Sequence, residues 1–348
     1  MRANFFIFLL TIFLVGCSKK ADSASESAVI ITKSLRYSEL DSHLEVYSGK
    51  HTIEIPRSKL PFKRTVFLNA SLLGYITALH LESSVVGVSS PEYIYSSVLR
   101  SAVEKQQIQN VGNEQKYDVE RILSLQPDAV FTNYLSSFES TYKMLRDNGV
   151  TVIFLDEYKE SVPLDKTKYL LLFGKLFNKE KQAQTLLESV TASYNTMRSK
   201  IQDKSNMPQV LVNEMYGNHW FVPGNESQLA NFIAHAGGKY IFSKLPGEQA
   251  VPLSFEQVLV ESNGANVWIN AGNHLSRKQM LALNPLYSKL DVFNNGRIYS
   301  ITGRIKGKSN DFFESGVVRA DIVLKDYIRI FHPDLVPGGQ LFYLKEIK

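Results

Sequence analysis

Seven histidines, one cysteine and a set of loop aromatics are the groups of this chain best suited to chemistry. The histidines are His43, His51, His80, His219, His235, His274 and His332, and none stands four residues from another. A local helical metal chelate is therefore excluded, while a site assembled from separate loops through His219 and His274 stays open. One thiol rules out a disulfide framework and any multi-thiolate zinc or iron–sulfur site. The run Gly303-Arg304-Ile305-Lys306-Gly307-Lys308-Ser309 has the residue types of a phosphate loop. That cradle needs four residues between its glycines, and only three stand here. The chain has no G-x-S-x-G nucleophile elbow and no H-E-x-x-H pair. No enzyme constellation emerges, and an exported α/β enzyme is kept only as a distant alternative.

The cysteine has a more specific use. Residues 1–20 read MRANFFIFLLTIFLVGCSKK: Arg2, an apolar run from Phe5 to Val15, then Gly16-Cys17. The run has the length of a secretory core and falls short of the roughly 20 residues of a membrane span. Leu14-Val15-Gly16-Cys17 matches a bacterial lipobox, in which cleavage leaves Cys17 as the lipidated N-terminus. Ser18 to Ser27 is small and polar, the composition of a tether. We therefore expect a signal peptide at 1–16, a tether at 17–27 and an exported body attached to a membrane through lipid alone.

The elements that must position any site follow from hydrophobic periodicity. Residues 28–60 alternate in short runs and predict a small β-rich extension. From residue 61 to 160, strands at 65–68, 84–88, 129–132 and 150–155 alternate with helices at 72–81, 119–125 and 137–148. Such alternation implies parallel strands with right-handed crossovers. Ala183, Leu187, Val190, Tyr194, Met197 and Ile201 repeat at steps of four and three. They predict one long amphipathic helix within 161–204, about 50 Å long at 1.5 Å per residue and bent near Asn178. Residues 205–348 return to strands at 209–214, 220–222, 266–270 and 297–301, with helices at 228–236, 255–261 and 316–331. The fold class is α/β, with two mainly parallel lobes bridged by a helix.

The 348 residues suit two domains, and 44% hydrophobic with 21% charged residues excludes disorder and coiled coil. A net charge of +5 is too mild for a nucleic-acid binder. In open α/β sheets ligands sit beyond the carboxyl ends of the strands. Those loops carry Asn69, Ser71, the run Ser89 to Tyr95, Asn133, Tyr134, Glu157 and Tyr158 in the first lobe. The second lobe offers Met215 to Trp220, Asn270 to His274, and Thr302 to Arg304. Aromatic walls with few polar groups suit a sizeable, partly apolar ligand held between lobes. Tyr93, Tyr95, Tyr216, His219, Trp220, His274 and Arg304 are the candidate ligand-binding residues, with Arg304 set to meet an acidic group on the ligand.

Certain stretches also carry a resemblance. They are Ser84-Val85-Val86-Gly87-Val88-Ser89, Val111-Gly112, the run Asp118 to Val130 (DVERILSLQPDAV) and Gly149-Val150-Thr151-Val152. In the second lobe they are Val222 to Ser227 (VPGNES) and Ala236-Gly237-Gly238. Over residues 62–335 the chain resembles the periplasmic substrate-binding lipoproteins of ABC importers for ferric siderophores, haem and cobalamin. The segments 157–164 and 331–335 look like a Bacteroidetes-type branch. The resemblance implies two lobes on one long helix and delivery of ligand, without catalysis, to a permease and its ATPase in the periplasm. It implies a metal-chelate cargo and no resident cofactor. Ferric siderophore leads, with cobalamin or haem as alternatives and bare Zn or Mn behind them. Haem would need an axial ligand, for which Tyr93 or His219 could serve. Family members dock on permease arginines through a surface glutamate on each lobe. Glu226 matches in the second, whereas the aligned first-lobe position carries Gln109, with Glu104 and Glu114 nearby.

Overall fold

The computed structural model describes residues 28–201 and 206–348. The expected signal peptide, Cys17 and the tether lie outside the described residues.

The N-terminal segment forms a four-stranded antiparallel sheet of Val29–Ile30, Leu35–Glu39, His43–Ser48 and His51–Pro56. Along His43–Ser48 every second residue is buried, so Leu44 and Val46 turn inward with the period of a one-faced strand. That face joins Phe62, Phe67 and Phe177 in the core of the first lobe. A polar clamp reinforces the joint. The Glu160 carboxylate accepts hydrogen bonds from Thr32 Oγ1 at 2.7 Å and Tyr169 Oη at 2.9 Å, and also from Ser34. The extension is therefore a buttress of the first lobe.

The first lobe is a five-stranded parallel sheet in the order Thr151–Phe154, Ala129–Thr132, Thr65–Phe67, Val85–Val88, Gln109–Asn110. The strands of 129–132 and 151–154 are buried at every position, as expected when helices cover both faces. The second lobe orders Lys239–Tyr240, Gln209–Val212, Val267–Ile269, Arg297–Ser300 and Lys345–Glu346. Only the last of these strands runs antiparallel. A three-stranded antiparallel sheet, Met215–Tyr216, His219–Pro223 and Ala250–Leu253, stands beside it.

The bridge is broken near Asn178, where the bend was expected, and is not one continuous helix. It is three helices, Asp165–Lys168, Leu170–Leu176 and Glu180–Arg198. Asn178 takes a left-handed φ of 56°, which ends one helix and lets the next start in a new direction. The 19-residue helix Glu180–Arg198 spans roughly 28 Å. Its Ala183 is buried in the first-lobe core and its Tyr194 in the second.

A second crossing was not foreseen. The stretch expected as one helix at 316–331 is a short helix Ser315–Val318 and a longer one, Ala320–Phe331. Phe312 packs against the second-lobe core, whereas Val318 is buried in the first. Thr167 Oγ1 donates to the Val318 carbonyl at 2.9 Å. Gly74, in the helix Leu73–Ala78, meets the same crossing so closely that an added Cβ would lie 2.2 Å from the Glu314 carbonyl oxygen. Gly74→Ala should therefore cost about 1–3 kcal/mol through overpacking. Urea unfolding of the variant checks this, and an unchanged midpoint would show that the crossing yields freely.

Candidate functional site

Parallel sheets leave a crevice where neighbouring strands send their crossovers to opposite faces. In the first lobe that point lies between Thr65–Phe67 and Ala129–Thr132, and in the second between Gln209–Val212 and Val267–Ile269. A cavity of about 460 Å³ opens beyond the first of these points. Leu68, Asn69, Ser71, Ser89, Ser90, Tyr93, Asn133, Glu157, Tyr158 and Lys166 line it from the first lobe. Asn273, Lys308, Asn310, Phe313, Glu314 and Val317 close it from the other side. The volume lies in the usual range for small-molecule sites. A larger hollow of about 820 Å³ beside residues 178–189 is far more open, touches no strand end and is lined largely by exposed polar side chains. The interlobe cavity is the better site on these grounds.

Its floor is a closed polar network. Ser71 Oγ donates to Glu157 Oε1 at 2.5 Å, and Asn133 Nδ2 donates to Glu157 Oε2 at 3.0 Å. Asn69 bonds Asn133 through its amide and accepts from the Ser71 backbone N–H at 2.9 Å. Burial pushes the Glu157 carboxyl above its ordinary range, against the opposing pull of Ser71, Lys166 and Asn133. Burial likewise lowers Lys166, countered by the charges of Glu157 and Glu160.

Glu314 ties the far wall to the near one. Its carboxylate accepts from the backbone N–H of Tyr95 at 2.6 Å and of Ser96 at 3.0 Å, at the start of the helix Ser97–Glu104. Burial is the chief cause that raises this carboxyl to about 7, with Asp311 adding to it and the two backbone donors opposing.

The sequence-derived candidates divide among several places. Tyr93 lines the cavity. Tyr95 and Arg304 meet in an adjoining hollow of about 410 Å³, whose lining shares Glu314 with the cavity. Arg304 is partly engaged by the protein there. Its Nε donates to Asp311 at 2.5 Å, and its guanidinium lies 5.1 Å from the Tyr95 ring centre and 4.4 Å from that of Phe342. His274 is nearly buried and bonded to Glu214, while its neighbour Asn273 reaches the cavity wall.

Trp220 is not a cleft residue. Strand alternation turns His219 and Phe221 outward and Trp220 inward. The indole is wholly buried against Trp268 and Tyr287, with its N–H donated to the Val212 carbonyl at 2.8 Å. Tyr216 and His219 sit on the same hairpin beside the turn at Gly217, Tyr216 being 80% exposed. Neither is among the residues that line the interlobe cavity. Among the described residues no three His, Cys, Asp or Glu side chains gather as a metal site, so His219 and His274 do not assemble one.

Glu226 and Glu104 are both exposed, one before the helix Gln228–His235 and one at the end of Ser97–Glu104. Lys166, Phe313, Glu314 and Val317 are cavity residues that strand-end reasoning missed. The last three arrive on the crossing segment, and Lys166 lies inside the stretch read as bridging helix.

The family model described as periplasmic binding protein matches residues 66–305. The chain belongs to that family. An uncharacterized lipoprotein of Methanocaldococcus jannaschii is 24% identical over 297 residues, covering 82% of this chain and 69% of the relative. A periplasmic heme-binding protein of Pseudomonas aeruginosa superposes with TM-score 0.61 at 19% identity, over 82% of this chain and 98% of that one. A siderophore-binding protein of Vibrio cholerae, bound to Fe3+–Desferal, gives TM-score 0.58 at 17% identity over 79% and 99%. At such identities the likeness to solved structures is one of fold.

Two expected outcomes follow from these placements. Trp220→Ala removes a fully packed indole and should cost about 3–5 kcal/mol of stability in denaturant unfolding, whatever it does to binding. Glu314 binds its proton more tightly folded than unfolded, so its contribution is greatest below its ordinary value of 4.5 and is lost as pH rises through about 7. Stability of Glu314→Gln should therefore decline less than wild type between pH 4.5 and 7; equal slopes would refute the assignment.

Proposed function

We propose that the protein is an exported, lipid-anchored binding protein that captures a metal chelate, with a ferric siderophore first in line, and hands it to an ABC importer. The observation that carries this reading is a cavity between two α/β lobes, walled at a strand switch point and closed from the other side by residues of 308–317. Membership of the periplasmic binding protein family supports binding and release as the activity, in place of turnover. The lipobox at Leu14 to Cys17, together with a lipoprotein relative, supports attachment at the outer face of a membrane. No helix among the described residues is long and apolar enough to cross one. The siderophore- and heme-binding structural neighbours bring in the cargo class.

Tyr93, Tyr158 and Phe313 supply the apolar faces of the cavity, and Tyr93 is about half exposed there, free to pack on a ligand. Haem is the second reading, favoured by the same Tyr93, whose phenol could serve as an axial ligand. Glu226 and Glu104 would steer the loaded protein to the permease, since exposed charges govern association more than affinity.

The test is a panel of ferric chelates, haem, cobalamin, Zn and Mn against the purified chain, read by unfolding temperature and visible absorption. A ferric chelate at a hundredfold excess over its Kd should stabilise the fold by about 2.7 kcal/mol. Tyr93→Ala should weaken that binding about tenfold while the free protein unfolds at the wild-type temperature. If ferric chelates, haem and cobalamin all leave the unfolding temperature unmoved, the reading fails.

A further inference from the structure

The polar groups of the cavity differ in how much of their hydrogen-bonding capacity is already used. Glu157 has both carboxylate oxygens occupied, one by Ser71 and one by Asn133. Glu314 spends its two oxygens on the N–H groups of Tyr95 and Ser96. The Asn133 amide nitrogen donates to the Leu155 carbonyl as well as to Glu157. Asn310 donates to the Ile301 carbonyl at 2.8 Å and accepts from the Phe312 N–H at 3.0 Å. The deep carboxylates and these amides thus face inward, into the protein's own network.

The two ammonium groups of the lining are in the opposite condition. Lys166 sits at the first-lobe wall with its surface only partly covered, and it lines the cavity. Its backbone carbonyl is engaged by the Tyr75 hydroxyl at 2.8 Å, which fixes the residue in place. Among the described residues, no acceptor within hydrogen-bonding or ion-pairing distance engages its Nζ; Glu157 and Glu160 act on it only through their charge. Lys308 lines the same cavity from the second lobe, at the turn between Ile305–Lys306 and Ser309–Asn310. Its ion pair with Glu92 is 4.0 Å long and exposed, the kind worth little in water. The remaining acid of the lining, Glu114, is exposed on the short hairpin of Gly112–Asn113 and Lys116–Tyr117, where solvent screens it.

A ligand entering this cavity meets two deep carboxylates with a hydrogen bond already made at each oxygen, and a Lys166 ammonium with no hydrogen-bonded acceptor among the described residues. We infer that Lys166, with Lys308 in the same lining, is an anion anchor, so that the cargo carries negatively charged oxygens able to reach the cavity wall. This rests on the metal-chelate reading and narrows it to acidic chelates. Three unspent N–H donors in a partly desolvated site give charge-assisted bonds, which a neutral or cationic chelate cannot match.

The experiment uses the full chain and two probe pairs matched in metal and opposed in charge. One pair is haem and its dimethyl ester; the other is ferric citrate and ferric desferrioxamine, which carries a free ammonium. Wild type should prefer the anionic member of whichever pair binds by at least about tenfold. Lys166→Met should abolish that preference, losing about ten- to a hundredfold on the anionic probe and leaving the other member unchanged. Lys166→Arg should restore most of it. Equal affinity of wild type for both members, or equal losses on both in Lys166→Met, overturns the anchor while leaving the chelate reading intact. Failure of every probe to bind wild type overturns both. Should Lys166→Met not fold, Lys308→Met, on an exposed turn, carries the same test: it must weaken the anionic probe selectively or the inference falls.

Discussion

The cleft has a fixed shape because one uninterrupted helix belongs to two cores. Glu180–Arg198 keeps its backbone hydrogen bonds through 19 residues, so hinging in the middle would break that ladder. Ala183 packs with Phe173 and Phe177 in the first-lobe cluster, while Tyr194, about three turns further along the same face, packs near Phe232. Tyr194 Oη also bonds His235 Nδ1 at 2.7 Å, which locks the helix to Gln228–His235. Rotating one lobe against the other would tear one of these contacts or bend the rod. The return crossing at 311–318 is a second, independent tie, and two ties at different points restrain twist as well as opening.

That rigidity decides how the cavity can be polar. A carboxylate at the bottom of a crevice between moving bodies would alternate between water and protein, and its partners would have to be flexible. Glu157 and Glu314 instead have partners fixed by secondary structure: the strand end at Asn133, and the two residues that lead into Ser97–Glu104. Buried charges are tolerated when their bonds are complete and become costly when one is removed. The Glu160 clamp on Thr32 and Tyr169 extends the same logic to the N-terminal sheet, whose position behind the first lobe sets where the loop at 157–166 can lie. Cavity wall and buttress are thereby one structural unit.

Much of this was legible from the residues, and what was not has identifiable causes. The strands with continuous β-branched or aromatic runs, such as Ala129–Thr132 and Val267–Ile269, stand within a residue of expectation because nothing competes with burial on both faces. The strand-end rule named Asn69, Ser71, Asn133, Glu157 and Tyr158, and all five line the cavity. Trp220 was misplaced because it ends the run 215–220 and begins the expected strand 220–222, a boundary at which the sequence does not say which way the side chain turns. The pairing of His219–Pro223 with Ala250–Leu253 turned it inward, and no local pattern announces that partner. The bend near Asn178 was read correctly, but the helical stripe did not show that the backbone there reverses hand and divides the bridge into separate helices. Phe313, Glu314 and Val317 escaped notice since they follow no strand end; tertiary packing alone brings them back across the molecule.

Arg304 illustrates how a sequence can point to the right neighbourhood and the wrong chemistry. Its position after Arg297–Ser300 does bring it close to the interlobe region, and its charge is real. Yet a guanidinium has five donors in a planar fork, and here Asp311, Tyr95 and Phe342 surround it on several sides. Such a group organises its surroundings: it holds Asp311, whose backbone carbonyl and carboxylate in turn set Ser315 and the turn that presents Glu314. The lysines behave differently because an ammonium on a flexible stem can remain unpaired at a cavity surface at modest cost, hydrated until an anion replaces the water. The division of labour between cations is therefore physical. The arginine, which pairs best, spends its Nε and its ring contacts on building the wall, and the lysines, which pair loosely, are what the cavity presents.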